Sequence, residues 1–107
     1  MLSVINHIPV KPEHGPAFEA AFRANLRHMD GVDGFVGVDI WRPSPTAKPG
    51  TYPANAYMIQ TRWRDEAAFR AWVGSASFRK SHANPMPDAW RDGEAFMSQH
   101  ELAIASE

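Results

Sequence analysis

Phe69-Arg70-Ala71-Trp72-Val73-Gly74-Ser75-Ala76-Ser77-Phe78-Arg79-Lys80-Ser81-His82 is the stretch around which the rest of the chain is arranged. As one unbroken helix it would set Trp72 and His82 roughly 15 Å apart along the axis, with their side chains pointing in different directions. That is too far for one small pocket. Gly74-Ser75 offers another reading, because glycine is favoured just past a helix end and serine is a preferred N-cap for the next helix. The spacing therefore predicts two short helices with a break between them, the second ended by Asn84-Pro85. Beyond the break Phe78 and His82 are four residues apart on one face, so a histidine stands beside an apolar anchor. The break can bring Trp72 round to the same cavity.

Outward from this stretch, Leu2 to Ile8 is rich in Val and Ile and reads as a strand in which Leu2, Val4, Asn6 and Ile8 share a face. Asn6 is the polar member of that row, and if the row faces the core its amide needs partners. Gly15-Pro16 opens a helix carrying Phe18, Phe22, Asn25, Leu26 and Met29 at helical spacing, and Asp30-Gly31 stops it. Phe35 to Arg42 reads as a second strand, with Val36, Val38 and Ile40 on one face and Phe35, Gly37, Asp39 and Trp41 on the other. Gly37 hints at a bulge. Pro43 to Pro53, with its prolines and Gly50, is a loop that joins this strand to the next as an extended hairpin. Asn55 to Trp63 is the third strand, with Tyr57, Ile59, Thr61 and Trp63 on one side, and Asp65 caps the helix that follows. A single turn at Asp88 to Arg91 precedes a last strand over Phe96 to Ala105.

The element order is strand, helix, strand, strand, helix, strand, which is the ferredoxin-like α+β arrangement. Its 107 residues suit one domain over 1–107 with a two-layer core and leave no room for a second, cofactor-carrying domain. Apolar residues on both faces of the second and third strands imply a cover on the open sheet face, hence a homodimer forming a dimeric α+β barrel. The formal charge of -1, dispersed in both signs, points away from nucleic acid and from anionic membrane surfaces. Cysteine is absent, so disulfides and thiolate chemistry are excluded. The N-terminus lacks a basic leader and no apolar run approaches bilayer length, so the chain reads as cytoplasmic.

His7, His14, His28, His82 and His100 show no zinc spacing, and no serine sits in a nucleophile elbow. Taken alone, His82 suits a helix C-terminus, Trp72 suits a core, and Asn6 suits satisfaction by neighbouring backbone. Together, however, Asn6 on the first strand, Ala68-Phe69-x-x-Trp72, Ser75-x-x-Phe78 and His82 ten residues after the tryptophan resemble the antibiotic-biosynthesis monooxygenase superfamily. Within it they resemble the haem-degrading monooxygenases with an Asn, Trp and His set. The Gly34-Phe35 entry to strand two and Thr61-Arg62-Trp63 add to the likeness.

The resemblance implies that His82 ligates haem iron through a neutral imidazole whose other nitrogen needs an acceptor that the sequence does not identify. It implies that Asn6 is a distal hydrogen-bond donor to the reacting oxygen, that Trp72 presses the porphyrin out of plane, and that Phe78 lines the haem site. Haem would be both substrate and cofactor, with O2 as co-substrate and an unidentified reductase or small reductant as external electron donor. The superfamily also leaves open cofactor-independent oxygenation of a phenolic or quinol-like aromatic, and haem binding without turnover.

Overall fold

The computed structural model describes residues 1–51 and 55–106. Residues 52 and 53 of the Pro43 to Pro53 loop, with residue 54 after it, lie outside the described residues. The strands are β1 (Leu2–Pro9), β2 (Phe35–Trp41), β3 (Ala56–Trp63) and β4 (Phe96–Glu101), and they form one antiparallel sheet in the order β2-β3-β1-β4. The helices are α1 (Gly15–Asn25), α2 (Glu66–Val73) and α3 (Ala76–Ser81). A tighter turn at Leu26–Met29 extends α1, and another at Asp88–Trp90 occupies the turn expected before the last strand. This is the ferredoxin-like α+β arrangement. β4 ends at Glu101 and not at Ala105, because its partner β1 begins at Leu2; beyond that point the Leu102 amide donates to the Met1 carbonyl (3.0 Å).

Register assigns the faces. Leu2, Val4, Asn6 and Ile8 lie opposite Trp63, Thr61, Ile59 and Tyr57, and directly opposed residues share a face, here the one beneath the helices. The alternation expected for β2 fails at its start. The ladder shifts register between Phe35 and Gly37, which inserts one residue and reverses the parity. Phe35 thereby turns inward beside Val38 and Ile40, its ring edge-on to Trp63 at 5.4 Å, while Val36 is left exposed. Gly34, just before the bulge, has φ +76°, and a Cβ there would collide with Ala68 of α2; only glycine lets the strand enter so close to the helix.

The outer sheet face is more polar than the sequence pattern suggests. Trp41 Nε1 donates to Gln60 (3.4 Å), Gln60 Nε2 donates to Ser3 (3.2 Å), Arg62 pairs with Asp39, and His7 stacks on Phe96 at 4.2 Å. Moving Phe35 inward leaves Trp41 as the large aromatic side chain of β2 on that face.

On the inner face the apolar residues form two clusters. One joins Leu2, Val4, Met29, Trp63, Ala68 and Trp72; the other joins Val10, Phe18, Tyr57 and Ile59. Trp63, fully buried, keeps its polar atom satisfied by donating from Nε1 to Thr61 Oγ1 (2.9 Å). In the second cluster the buried Tyr57 hydroxyl donates to Glu19 of α1 (2.6 Å), and Arg42, at the end of β2, closes on the same carboxylate at 2.6 and 3.1 Å. These bonds tie α1 to two strands.

Burial, followed by the hydrogen bond to Glu19, pushes the Tyr57 hydroxyl up to about 12. The folded state therefore holds this proton more tightly than the unfolded chain, where a tyrosine titrates near 10, so the stability it contributes is complete below about pH 10 and is lost as pH rises through about 12. Urea unfolding across that interval should show a steeper loss of stability for the parent than for Tyr57→Phe; parallel curves would disprove the assignment.

Candidate functional site

α2 begins at Asp65, whose carboxylate accepts from the Ala68 amide (2.8 Å), and Glu66 pairs with Arg70 one turn on at 2.9 Å. The expected break follows. Gly74 has φ -84°, a conformation any residue adopts, so the glycine is not what turns the chain. Ser75 does this: its hydroxyl donates to the Trp72 carbonyl (2.6 Å) and accepts from the Phe78 amide (3.1 Å), closing one helix and capping the next with a single oxygen. α3 then runs for six residues and ends at His82, earlier than Asn84-Pro85 alone suggests.

The break brings four aromatic rings into series. Trp63 lies beside Trp72 with centroids 6.1 Å apart, the Phe78 ring meets Trp72 edge to face at 5.7 Å, and His82 stacks on Phe78 at 4.0 Å. Trp72 is only 6% exposed and belongs to the first core cluster, so it stands behind Phe78 more than it faces open space. His82, in contrast, is exposed.

Hydrogen bonding fixes the role of His82 Nδ1. Its Nδ1 lies 2.9 Å from the Phe78 carbonyl oxygen and 2.8 Å from Ser81 Oγ. A carbonyl oxygen only accepts, so at 2.9 Å Nδ1 carries the hydrogen and donates; the assignment follows from the network. Ser81 Oγ is then free to donate its own hydrogen to the same carbonyl (2.8 Å). Nε2 lies on the other side of the ring and has no hydrogen-bond partner among the described residues. The acceptor that the sequence could not identify is the Phe78 backbone, one helical turn back.

Asn6 occupies the inner face of β1 between Val4 of the first cluster and Ile8, which packs against the second. Its amide makes no side-chain hydrogen bond among the described residues, so the backbone partners allowed for by the sequence are not used. Opposite it on β4, Met97 is 52% exposed on the same face, so this part of the inner sheet is uncovered. Trp72, Phe78 and His82 are thus brought together by contact, while Asn6 makes no recorded contact with them and stands on the inner row of β1 two residues from Val4, a member of the cluster that holds Trp72. Of the remaining histidines, His7 and His14 stack on Phe96 and Trp90, and His100 contacts Ser98.

The chemistry of this donor set fits haem. An exposed imidazole whose Nδ1 is engaged by the backbone and an apolar aromatic wall beside it suit an axial ligand and a porphyrin face, and the unpaired amide of Asn6 suits a polar group for bound oxygen. Among the described residues no cluster of three histidine or acidic side chains could hold a bare metal ion, and no helix is long and apolar enough to cross a membrane.

A sequence model of the family described as antibiotic biosynthesis monooxygenase matches residues 1–84. Haem-degrading monooxygenases of Listeria welshimeri and Listeria monocytogenes are each 35% identical to the chain over 51 residues, 48% of this chain and 39% of theirs. The matched stretch therefore spans about two fifths of the length of those curated relatives. Among solved structures, the haem degrader MhuD of Mycobacterium tuberculosis, with two haems bound in its active site, superposes over 100% of both chains with a TM-score of 0.77 at 23% identity. SnoaB of Streptomyces nogalater, a cofactor-independent oxygenase, gives a TM-score of 0.71 at 19% identity over 97% of this chain and 94% of its own. The expected fold is the one these proteins share.

The burial of Trp72 and the unpaired state of Asn6 predict opposite responses to truncation. Trp72→Ala should destabilise the ligand-free protein by roughly 3–5 kcal/mol, as a large core side chain is lost, whereas Asn6→Ala should change stability by no more than about 0.5 kcal/mol. Urea unfolding of both variants checks this.

Proposed function

The chain belongs to the antibiotic biosynthesis monooxygenase family, and on that footing we propose that it is a haem-degrading monooxygenase that opens the haem macrocycle oxidatively, with O2 and externally supplied electrons, and releases the iron. The observation that carries this reading is His82: its Nδ1–H donates to the Phe78 carbonyl, which leaves Nε2 as the atom available to a ligand at the protein surface. The curated haem-degrading relatives and the haem-bound MhuD fold support it.

Haem, as the bound substrate, supplies the iron at which oxygen is reduced and the meso carbon that is oxidised. His82 would hold it from the proximal side. Phe78, stacked on His82, and Trp72 behind it would form the apolar wall along one side of the ring. Trp72, locked against Trp63 in a close-packed core, would make that wall rigid and would press on a bound macrocycle without giving way. Asn6, its amide unpaired, would donate to the reacting oxygen from the sheet side. Electrons must come from a reductase or small reductant, which suits the reducing cytoplasm as the place of action.

β4 lies outside the matched residues 1–84 yet pairs with β1, which supports treating residues 1–107 as one domain. The outer sheet face, with Trp41 and the His7–Phe96 stack, is proposed to pair with a second copy in a homodimer. Interfaces of this kind bury on the order of 2,000 Å² or more.

His82→Ala should lose most specific haem binding in a haemin titration. Asn6→Ala should bind haem like the parent but degrade it about 100-fold more slowly in single turnover with reductant and air, the usual scale for removing one preorganised donor. Unchanged affinity in a folded His82→Ala variant would refute the ligand. A stable Soret band in the parent that no reductant consumes would replace degradation with binding alone, and the absence of any Soret shift would favour cofactor-independent oxygenation. Light scattering should give twice the chain mass at micromolar concentration.

A further inference from the structure

α3, the helix that ends in His82, has six residues, too few to be stable by its own hydrogen bonds. Its last carbonyls have no partner within the helix. The Ser81 carbonyl, on the peptide that leads into His82, is taken by a residue from elsewhere: Asn25, the last residue of α1, donates from Nδ2 at 2.6 Å. Asn25 is half-buried, and α3 packs on the turn that follows it. In the sequence it occupies an apolar helix face, where its polarity has no local explanation.

We infer that Asn25 is a positioning residue for the iron ligand: by holding the Ser81–His82 peptide against α1 it keeps the Phe78 carbonyl within reach of His82 Nδ1, and so keeps Nε2 as the free ligand atom. Three donors converge on that carbonyl, the His82 amide at 3.1 Å, Ser81 Oγ at 2.8 Å and His82 Nδ1 at 2.9 Å. A carbonyl has two lone pairs, so this convergence survives only while the end of α3 is held still. If the Ser81 peptide rotates away, Ser81 Oγ can donate to Nδ1 instead. The imidazole proton then moves to Nε2 and the ligand atom is blocked.

This inference rests on the reading of His82 as haem ligand, but its first readout does not. Asn25→Asp keeps the size of the side chain and replaces the donor with an acceptor; Asn25→Ala serves if the aspartate variant unfolds. In the haem-free protein, nitrogen NMR of the imidazole should show the Nδ1–H tautomer dominant in the parent and displaced by Nε2–H in the variant, with the melting curve still cooperative. Haemin affinity should fall about tenfold or more, the usual scale for losing an outer partner of a metal ligand, and the ferrous iron–histidine stretching band should shift or broaden. A folded variant with the parent tautomer and the parent affinity would overturn the clamp. If the tautomer responds to Asn25 while His82→Ala leaves haem affinity unchanged, the ligand reading fails, and the positioning role for haem fails with it.

Discussion

One hydroxyl group decides the geometry of the site. Ser75 Oγ donates to the carbonyl that ends α2 and accepts from the amide that starts α3, so two helices meet at an angle where one would otherwise continue. Everything placed by α3 follows from that bend. Phe78 swings back until its ring meets Trp72, and His82, one turn further, comes to rest on Phe78 and not roughly 15 Å away along a straight axis. A residue with no hydroxyl at this position would leave the Phe78 amide at the start of α3 uncapped and the Trp72 carbonyl with backbone donors alone.

The second constraint is the division of the core. Two apolar clusters lie side by side under the helices, and the inner row of β1 crosses from one to the other at Asn6. The polar groups inside the clusters, the Tyr57 hydroxyl and the Trp63 indole, are each taken up by a partner within the fold. At the seam, with the exposed inner face of β4 beside it, the Asn6 side chain keeps its donor free. The seam is therefore where this fold can tolerate a polar group directed at a ligand.

Much of this was legible in the chain itself. Period-two rows placed β1 and β3 and their inner faces, and Gly-Ser within a helical pattern placed the break. Where the pattern misled, a local device was the cause. The bulge at Phe35–Gly37 reverses parity at the start of β2, and of the two residues read as the break at Gly74-Ser75 the serine cap is present as expected while Gly74 uses no conformation special to glycine. The acceptor for His82 could not be read because it is a backbone atom, and backbone atoms carry no residue code. Asn25 could not be read as a clamp because its partner is distant in sequence; its one trace was a polar residue on an apolar helix face.

A shared fold does not settle chemistry, since a cofactor-independent oxygenase and a haem degrader both superpose on this chain. What favours haem in this chain is an exposed imidazole, His82, with Nδ1 donating to the Phe78 carbonyl and its ring beside an aromatic wall. The most direct test is the fate of one equivalent of haemin bound to the parent protein and supplied with reductant, in air and under argon, with an iron chelator present. The account predicts that in air the Soret band is lost as chelated iron appears in equal amount, and that under argon the band persists. Loss of the band without iron release, or at the same rate under argon, would contradict it.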